Sequence, residues 1–249
     1  MQELQDLGIN LLAAGIAFGV GLSSNQARNR WRTRSTRAFW KPYANGEFRV
    51  ITPIHQVGED QTIERAEWVG LGDVIALVTL QDAVSALGID KLVVRPSNRL
   101  NDDDWRSNLI LIGGPWTNTV TGDALARLDI NVGFGSLAQP STELADVHDV
   151  QSSRTWSRVR TPDGKRTRTD YGIVVRAISP FNARRTILIL AGGTAFGTAG
   201  AAMLCQKAEL LDHPAVRSGD PFEAVCAVDV AGGAPREVEA VLVRTLVQP

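Results

Sequence analysis

The 249-residue chain is 44% hydrophobic and 21% charged, and its formal net charge is −1. A chain of this length and composition can bury one large core or two small ones, which excludes a mainly disordered protein. The charge balance argues against binding nucleic acid through bulk charge, so we expect no direct nucleic-acid partner. Cys205 and Cys226 are too few for a disulfide framework, and the apolar alternation around Cys226 predicts a buried free thiol.

The N-terminal region contains sixteen consecutive residues without a charge, 7–22. As a helix they extend roughly 24 Å, somewhat short of a ~30 Å hydrocarbon core. Gly15 and Gly19 form a small-xxx-small pair that lets identical helices approach closely. We therefore expect a self-associating transmembrane helix within residues 1–24 and a homo-oligomer. A buried core helix is the alternative; a cleaved secretory signal is disfavoured because its basic residues should precede the apolar run.

A basic segment follows the apolar run. It carries six Arg and Lys residues between Arg28 and Lys41, whereas Glu3 and Asp6 precede the run. By the positive-inside rule the rest of the chain lies in the cytoplasm, which predicts a single-pass protein of the inner (cytoplasmic) membrane. We expect a basic linker over residues 25–45 and a cytoplasmic α/β domain over residues 46–249.

The first half of that domain alternates apolar strand patterns with helical ones, and its strands are continuously apolar. Such strands are typical of a parallel sheet that is covered on both faces. The predicted elements are, in chain order, a strand in EFRVITPI, a helix in GLGDVIALVTLQDAVSALG, a strand in KLVVRPS, a turn or short helix in NDDDW, a strand at Asn108–Ile112 and a helix in TGDALARL.

The second half predicts two β-hairpins, one around Pro162-Asp163-Gly164 and one in FEAVCAVDVAGGAPREVEAVLVRTL. Between them, ILILAGGTAFGTAGAAML reads as a strand, a glycine-rich turn and a helix. The predicted fold class is therefore α/β, with a Rossmann-like mixed sheet that is parallel in its centre and has antiparallel edge hairpins, preceded by one N-terminal apolar helix.

The glycine-rich turns are the candidate ligand site. In parallel α/β sheets, ligands bind beyond the carboxyl ends of the strands, where glycines let the backbone approach a ligand and helix N-termini favour anions. The alternative is that the glycines only permit tight turns and close helix packing. The predicted ligand-binding residues in these turns are Gly113, Gly114, Asn118, Gly192, Gly193, Thr194 and Thr198.

Several common nucleotide-binding classes are excluded by spacing. GGTAFGTA lacks the lysine of a Walker A loop, which argues against an ordinary ATPase or GTPase. It also lacks the G-x-G-x-x-G spacing of dinucleotide oxidoreductases. No HEXXH or paired-cysteine motif is present, so no metal is expected, and the sequence identifies no other cofactor.

The first hairpin concentrates positive charge around its turn. With a two-residue turn, Arg158 and Arg160 face opposite to Arg166 and Arg168, whereas a three-residue turn puts all four on one face. We include Arg158 and Arg168 among the candidate ligand-binding residues. The alternative is that these are solvated edge-strand charges that block aggregation.

The strand, Gly-Gly-Thr turn and small-residue helix of TILILAGGTAFGTAGAA resemble the ligand-loop region of CARF-type and related Rossmann-like domains, which sense cyclic oligonucleotides in bacterial antiviral defence. The wider set GLGDVIAL, LILIGGPWTN and DYGIVVR is similar to domains of uncharacterised bacterial proteins over roughly residues 46–230. The resemblance implies that Thr194 and the Gly192-Gly193 backbone contact the ligand. Ala195 stands where those loops often carry a lysine.

Evidence for catalysis in the sequence is thin. Asp73 and Asp170 are candidate acids or bases, but each also fits a helix N-terminal or turn charge. We therefore expect a membrane-anchored sensor or effector, in antiphage defence, whose cytoplasmic domain binds a nucleotide-like small molecule and controls the N-terminal helix. The alternatives are a nucleotide- or NAD-cleaving hydrolase tethered by its N-terminal helix, and a non-enzymatic assembly scaffold.

Overall fold

A computed structural model describes residues 34–44, 48–54, 69–85, 87–89, 92–135 and 146–246. The predicted N-terminal helix at residues 7–22 lies outside these residues. Among the residues described, no helix is long and apolar enough to cross a membrane.

The strands follow the predicted order and add some that the sequence analysis did not identify. They are β1 (Phe48–Thr52), β2 (Val94–Pro96), β3 (Asn108–Ile112), β4 (Val132–Phe134), β5 (Val147–Asp149), β6 (Arg154–Trp156), β7 (Val159–Arg160), β8 (Thr167–Ser179), β9 (Asn182–Gly192), β10 (Phe222–Ala231) and β11 (Ala234–Thr245). The helices are α1 (34–40), α2 (Leu71–Ser85), α3 (Asp102–Trp105), α4 (Thr119–Arg127), α5 (Ala195–Leu204), α6 (Ala208–Leu211) and α7 (Pro214–Arg217).

The main sheet has the strand order β11-β10-β8-β9-β3-β1-β2, and β7 pairs with β8. Strands β9, β3, β1 and β2 are mutually parallel, whereas β8, β10 and β11 are antiparallel to their neighbours. The predicted α/β class, with a mixed sheet that joins parallel strands to antiparallel hairpins, is confirmed. A second sheet of three short strands, β4-β5-β6, was not predicted.

Two hydrophobic clusters cover the two faces of the main sheet. On one face, strand residues such as Ile110 and Leu188 pack with α1, α2 and α5 to α7. On the other face, Leu109 and Ile187 pack with α4 and the small sheet. Because both faces are buried, the parallel strands read as continuous apolar runs, as the sequence analysis assumed.

The core includes three aromatic residues from the segment that the sequence analysis assigned to a basic linker. Phe39, Trp40 and Tyr43 are each at most 2% exposed, and they lie on α1 and the 3-10 turn Lys41–Tyr43 that follows it. The guanidinium of Arg176 lies over the rings of Phe39 and Phe222, at 5.5 and 4.9 Å from their centroids. These contacts fix the start of the described chain to β8 and β10.

A buried ionic network joins the small sheet to the main one. Arg244 on β11 donates hydrogen bonds to both carboxylate oxygens of Asp149 on β5 and to Glu223 on β10. Both acids are fully buried. One guanidinium, whose planar geometry suits carboxylates, donates to both acids and compensates one of their two negative charges.

Candidate ligand-binding cleft

The adjacent parallel strands β3 and β9 send their chains to opposite faces of the sheet. After β3 the chain enters α4, which packs in the cluster that contains Leu109, whereas after β9 it enters α5, which packs in the cluster that contains Leu188. Such a divergence opens a crevice at the carboxyl ends of the strands, where ligands bind in open α/β sheets.

A cleft of about 160 Å³ occupies this crevice. A cavity of ~150 Å³ holds one benzene-sized molecule, so the cleft accommodates one ring-sized group. The two glycine turns therefore meet, and Gly114 lies next to Gly192. The predicted residues that line the cleft are Asp73, Gly114, Gly192, Gly193, Thr194 and Thr198.

Asp73 reaches the cleft because the first turns of α2 and α5 are in contact. A Cβ atom at Gly72 would lie only 1.9 Å from the carbonyl oxygen of Ala195, so no larger residue fits there without moving one helix. Asp73 is 4% exposed and lies in the first turn of α2. An acidic residue at this position is favoured by the helix dipole.

Several glycines serve helix packing, which was the alternative interpretation of this sequence. Cβ atoms at Gly172, Gly192 and Gly197 would each lie 2.1–2.2 Å from backbone atoms where α5 crosses β8 and β9. Gly113 has a φ of +98°, a conformation that favours glycine, and it does not line the cleft itself. Gly192 has both a binding-site position and a packing role, because it lines the cleft and its missing side chain lets α5 approach β9 closely.

Asp170 lies beneath the glycine turn, and its side chain is fully buried. Its Oδ2 atom accepts hydrogen bonds from the Thr194 hydroxyl at 2.5 Å and from the Gly197 amide at 2.6 Å, while its Oδ1 atom is buried without a hydrogen-bond partner among the described residues. Burial raises the pKa of this carboxyl group, although the Thr194 hydroxyl, the backbone of Tyr171 and Gly197 and the charge of Arg158 act in the opposite direction.

These contacts change the chemistry expected of the turn. The N-terminus of α5 already holds the Asp170 carboxylate, and the Thr194 hydroxyl accepts from the Phe196 amide at 3.4 Å. The Gly193 amide donates to the backbone oxygen of Tyr171 at 3.2 Å. The amides of residues 193, 196 and 197 are therefore engaged within the chain and are not free to bind a phosphate in this conformation.

Asn118 has a structural role below the cleft. Its Nδ2 atom donates to the backbone oxygens of Ile51 and Ile112, at 3.1 and 2.8 Å, and its Oδ1 atom accepts from the amides of Val120 and Thr121. The side chain is fully buried, so its donors and acceptors are used within the protein. It thereby ties β1 to β3 and caps α4.

The charged hairpin has a different turn from either one considered in the sequence analysis. The Thr161 amide donates to the oxygen of Arg166 and the Gly164 amide to that of Thr161, which makes a four-residue loop over residues 162–165. Arg158 lies near Asp170, because the adjoining Val159 pairs with Thr169. Arg168 is exposed on β8, two residues before Asp170 and on the same strand face.

The sequence analysis missed Trp116, which lines the cleft together with Thr117. Trp116 is 46% exposed, and its ring meets that of Phe134 edge to face at 5.7 Å. The position of Trp116 directly after the first glycine turn was an available signal. A large exposed aromatic ring next to a cleft with a few polar groups is a common feature of ligand sites.

The fold and the site together define a mixed α/β domain with a small cleft at the switch point of its parallel strands. A scan against protein-family models finds no match to the chain. A search of curated proteins also finds no match. The function is therefore argued from the cleft itself.

Proposed function

We propose that the domain is a sensor whose cleft binds the sugar ring of a nucleoside- or nucleotide-like ligand. The observation that carries this proposal is a ring-sized cleft at the switch point, lined by hydrogen-bond acceptors and bordered by an exposed tryptophan. At about 160 Å³ the cleft is smaller than the ~300–1,000 Å³ of sites that enclose a drug-sized molecule. It fits one part of a nucleotide, with the remainder outside.

The side chains of the cleft favour a ligand group that is rich in hydrogen-bond donors. Asp73 contributes a carboxyl group. The Thr194 hydroxyl donates its hydrogen bond to Asp170, so toward a ligand it can act only as an acceptor. Thr117 directs its hydroxyl proton to the oxygen of Gly114 at 3.4 Å. The vicinal hydroxyls of a ribose match such acceptors.

Trp116 provides a surface for the base. Stacking of a nucleobase on an aromatic side chain contributes about 1–3 kcal/mol and tolerates different bases. Its edge-to-face contact with Phe134 holds the ring in place, which reduces the entropy lost on binding. The proposed ligand therefore places its ribose against Asp73 and its base against Trp116.

A sensor also needs a second element that responds to the ligand. We propose that this is the apolar segment at residues 7–22, acting as a membrane anchor that self-associates, and that α1 carries the connection because its aromatic residues belong to the core. Coupling requires the ligand to bind one arrangement better than the other. The resemblance to CARF-type domains leads us to propose a role in antiphage defence.

Isothermal titration calorimetry with the full chain tests ligand binding. The panel pairs ribonucleosides with their 2′,3′-dideoxy analogues, and we expect only the ribonucleosides to bind. Asp73→Asn and Trp116→Ala should each weaken binding, by at least about tenfold for the tryptophan. Asp102→Asn is the control, because Asp102 is exposed in the first turn of α3. A panel without a binder, or equal binding of the dideoxy analogues, contradicts the proposal.

Membrane attachment is tested separately. Deletion of residues 1–27 should move the protein from the membrane fraction to the soluble fraction while ligand binding persists. If the full chain is already soluble and monomeric, the anchor proposal fails and ligand binding by the domain stands on its own.

A tethered hydrolase is the second candidate, and Asp170 is the observation in its favour. A buried carboxyl group with a raised pKa and an unpaired oxygen is typical of catalytic sites as well as of structural ones. Release of nicotinamide from NAD, or of a base from a nucleotide, that is lost in Asp170→Asn would favour the hydrolase over the sensor.

A further inference from the structure

We infer that the ligand of the cleft carries phosphate, and that the basic hairpin formed by residues 158–168 binds it. This inference rests on the proposed function, because it concerns the part of the ligand that the cleft is too small to hold. The hairpin contains five cationic residues: Arg158, Arg160, Lys165, Arg166 and Arg168.

The topology brings this hairpin to the end of the sheet where the cleft opens. Strand β8 pairs with β9 up to Gly172 opposite Gly192, and with β10 on its other edge as far as Thr169. Since β10 occupies that edge, β7 pairs with residues 167–169 on the edge that β9 has left. The basic hairpin therefore continues the ladder of β9 beyond its carboxyl end.

Among the cations of the basic hairpin, Arg158 and Arg168 lie nearest to Asp170 along β7 and β8. Arg158 is half-buried, and its charge acts on Asp170, which in turn holds the Thr194 side chain that lines the cleft. Arg168 shares the strand face of Asp170 and is exposed. A ligand that extends from the cleft toward β7 meets both guanidinium groups.

The charges of the basic hairpin are not balanced within the described structure. No ion pair among the described residues involves any of its five cations. Its one acid, Asp163, accepts from the Thr161 hydroxyl and the Lys165 amide and so serves the turn. Like charges on neighbouring strands are unfavourable, and a bound anion relieves that repulsion.

The basic hairpin is the place in this domain where a phosphate can bind. The usual place is the N-terminus of the helix after the glycine turn, but there the Gly197 amide is already bonded to Asp170. Arginine groups bind phosphate through paired, charge-assisted hydrogen bonds. The phosphate therefore belongs on the hairpin, and the sugar in the cleft.

Calorimetry of a ribonucleoside, its 5′-monophosphate and its 5′-triphosphate, at two salt concentrations, tests this division. We expect the phosphorylated forms to bind more tightly than the nucleoside, by about tenfold for each arginine that contacts phosphate. This gain in affinity should be smaller at the higher salt concentration. In Arg158→Gln and Arg168→Gln the ratio of nucleotide affinity to nucleoside affinity should fall, and in Arg168→Gln the nucleoside affinity should stay unchanged. Arg184→Gln is the control, since Arg184 is exposed near the start of β9, at the opposite end of that strand.

Inorganic pyrophosphate separates this inference from the proposed function. If no nucleoside binds but pyrophosphate binds and is weakened by Arg158→Gln, the sugar site fails and the phosphate site stands. If nucleosides bind and phosphorylated forms bind no better, the hairpin inference is overturned. It is also overturned if both arginine variants keep the full increase in affinity from nucleoside to nucleotide. Binding of long single-stranded oligonucleotides alone to the hairpin would overturn it as well.

Discussion

The Gly197 amide donates a hydrogen bond to Oδ2 of Asp170 at 2.6 Å, so a strand carboxylate holds the first turn of α5. The same oxygen accepts the hydroxyl proton of Thr194, which caps the helix. The helix dipole favours a negative charge at this place, but burial opposes it. The protonation state of Asp170 therefore influences both the helix and the turn that borders the cleft.

This arrangement predicts a pH dependence of stability. Because burial raises the pKa of Asp170, folding favours its protonated form. The stability contributed by protonated Asp170 is fully present at pH values below the ordinary carboxyl pKa of the unfolded chain. It is lost as pH rises through the raised pKa of the folded protein. Asp170→Asn keeps an oxygen acceptor and removes the titration. In urea unfolding at a series of pH values, wild type should lose free energy of unfolding relative to the variant as pH rises above 4.

Asp163→Asn is the matched control, because hydrogen bonds from Thr161 and Lys165 lower the pKa of the exposed Asp163. It should show the opposite trend, with wild type losing stability relative to the variant as pH falls. A difference between wild type and Asp170→Asn that is the same at every pH would contradict the role given to Asp170.

The close approach of α5 to the sheet gives a second prediction. A Cβ at Gly197 would lie 2.1 Å from the backbone oxygen of Tyr171, and neither backbone can yield without moving the helix. Gly197→Ala should therefore destabilise the protein by about 2 kcal/mol or more through overpacking. Gly122→Ala, on α4, meets nothing closer than 3.3 Å and should change the free energy of unfolding by less than about 1 kcal/mol. Equal effects of the two substitutions, measured by urea unfolding, would refute the packing argument.

The sequence predicted most of the parallel half of the fold because its strands are continuous apolar runs bounded by turn residues. The bounds of β3, Asn108–Ile112, agree with the prediction. The small sheet was missed because its strands are three residues each, too short to show an alternating pattern. The turn of the basic hairpin was also missed, because the Thr161 hydroxyl and amide close a longer loop with Arg166.

The site was predictable where it depends on topology, and not where it depends on distant contacts. The meeting of Gly114 and Gly192 follows from the order of two parallel strands. The bond between Asp170 and Gly197 joins residues 27 positions apart, and no local pattern indicates it. The same is true of Asn118, whose amide reaches the oxygen of Ile51, 67 positions away.

The ionic network between the two sheets gives a third prediction. Arg244→Met leaves Asp149 and Glu223 buried without their cation and should cost about 3–5 kcal/mol. Burial raises the pKa of Asp149, but hydrogen bonds from Arg244, Ser152 and the Gln151 amide outweigh it and hold the pKa at about 2. The stability this provides is present above the ordinary pKa of 3.8 and is lost as pH falls toward 2.

Urea unfolding of Arg244→Met at neutral pH and at pH 3 measures both effects. The difference from wild type should narrow at the lower pH. At pH 3 the unfolded chain binds a proton at Asp149 that the folded wild type, with its pKa of about 2, does not, so wild type loses part of the stability that the pairing provides. Arg236→Met is the control, since Arg236 is exposed on the same strand. A loss in the control as large as that in Arg244→Met would show that the network contributes little.

The two thiols give the last prediction. Cys205 and Cys226 are free and buried, and burial raises the pKa of Cys226 to about 12 and that of Cys205 still further. Because the thiolate is the reactive form, neither should react with a disulfide reagent at pH 8 in the folded protein, and both should react in urea. Ala126→Cys, on the exposed side of α4, should add one thiol that reacts at once. Rapid labelling of native wild type would mean that α5 or β10 opens readily, since Cys205 is the C-cap of α5 and Cys226 lies on β10.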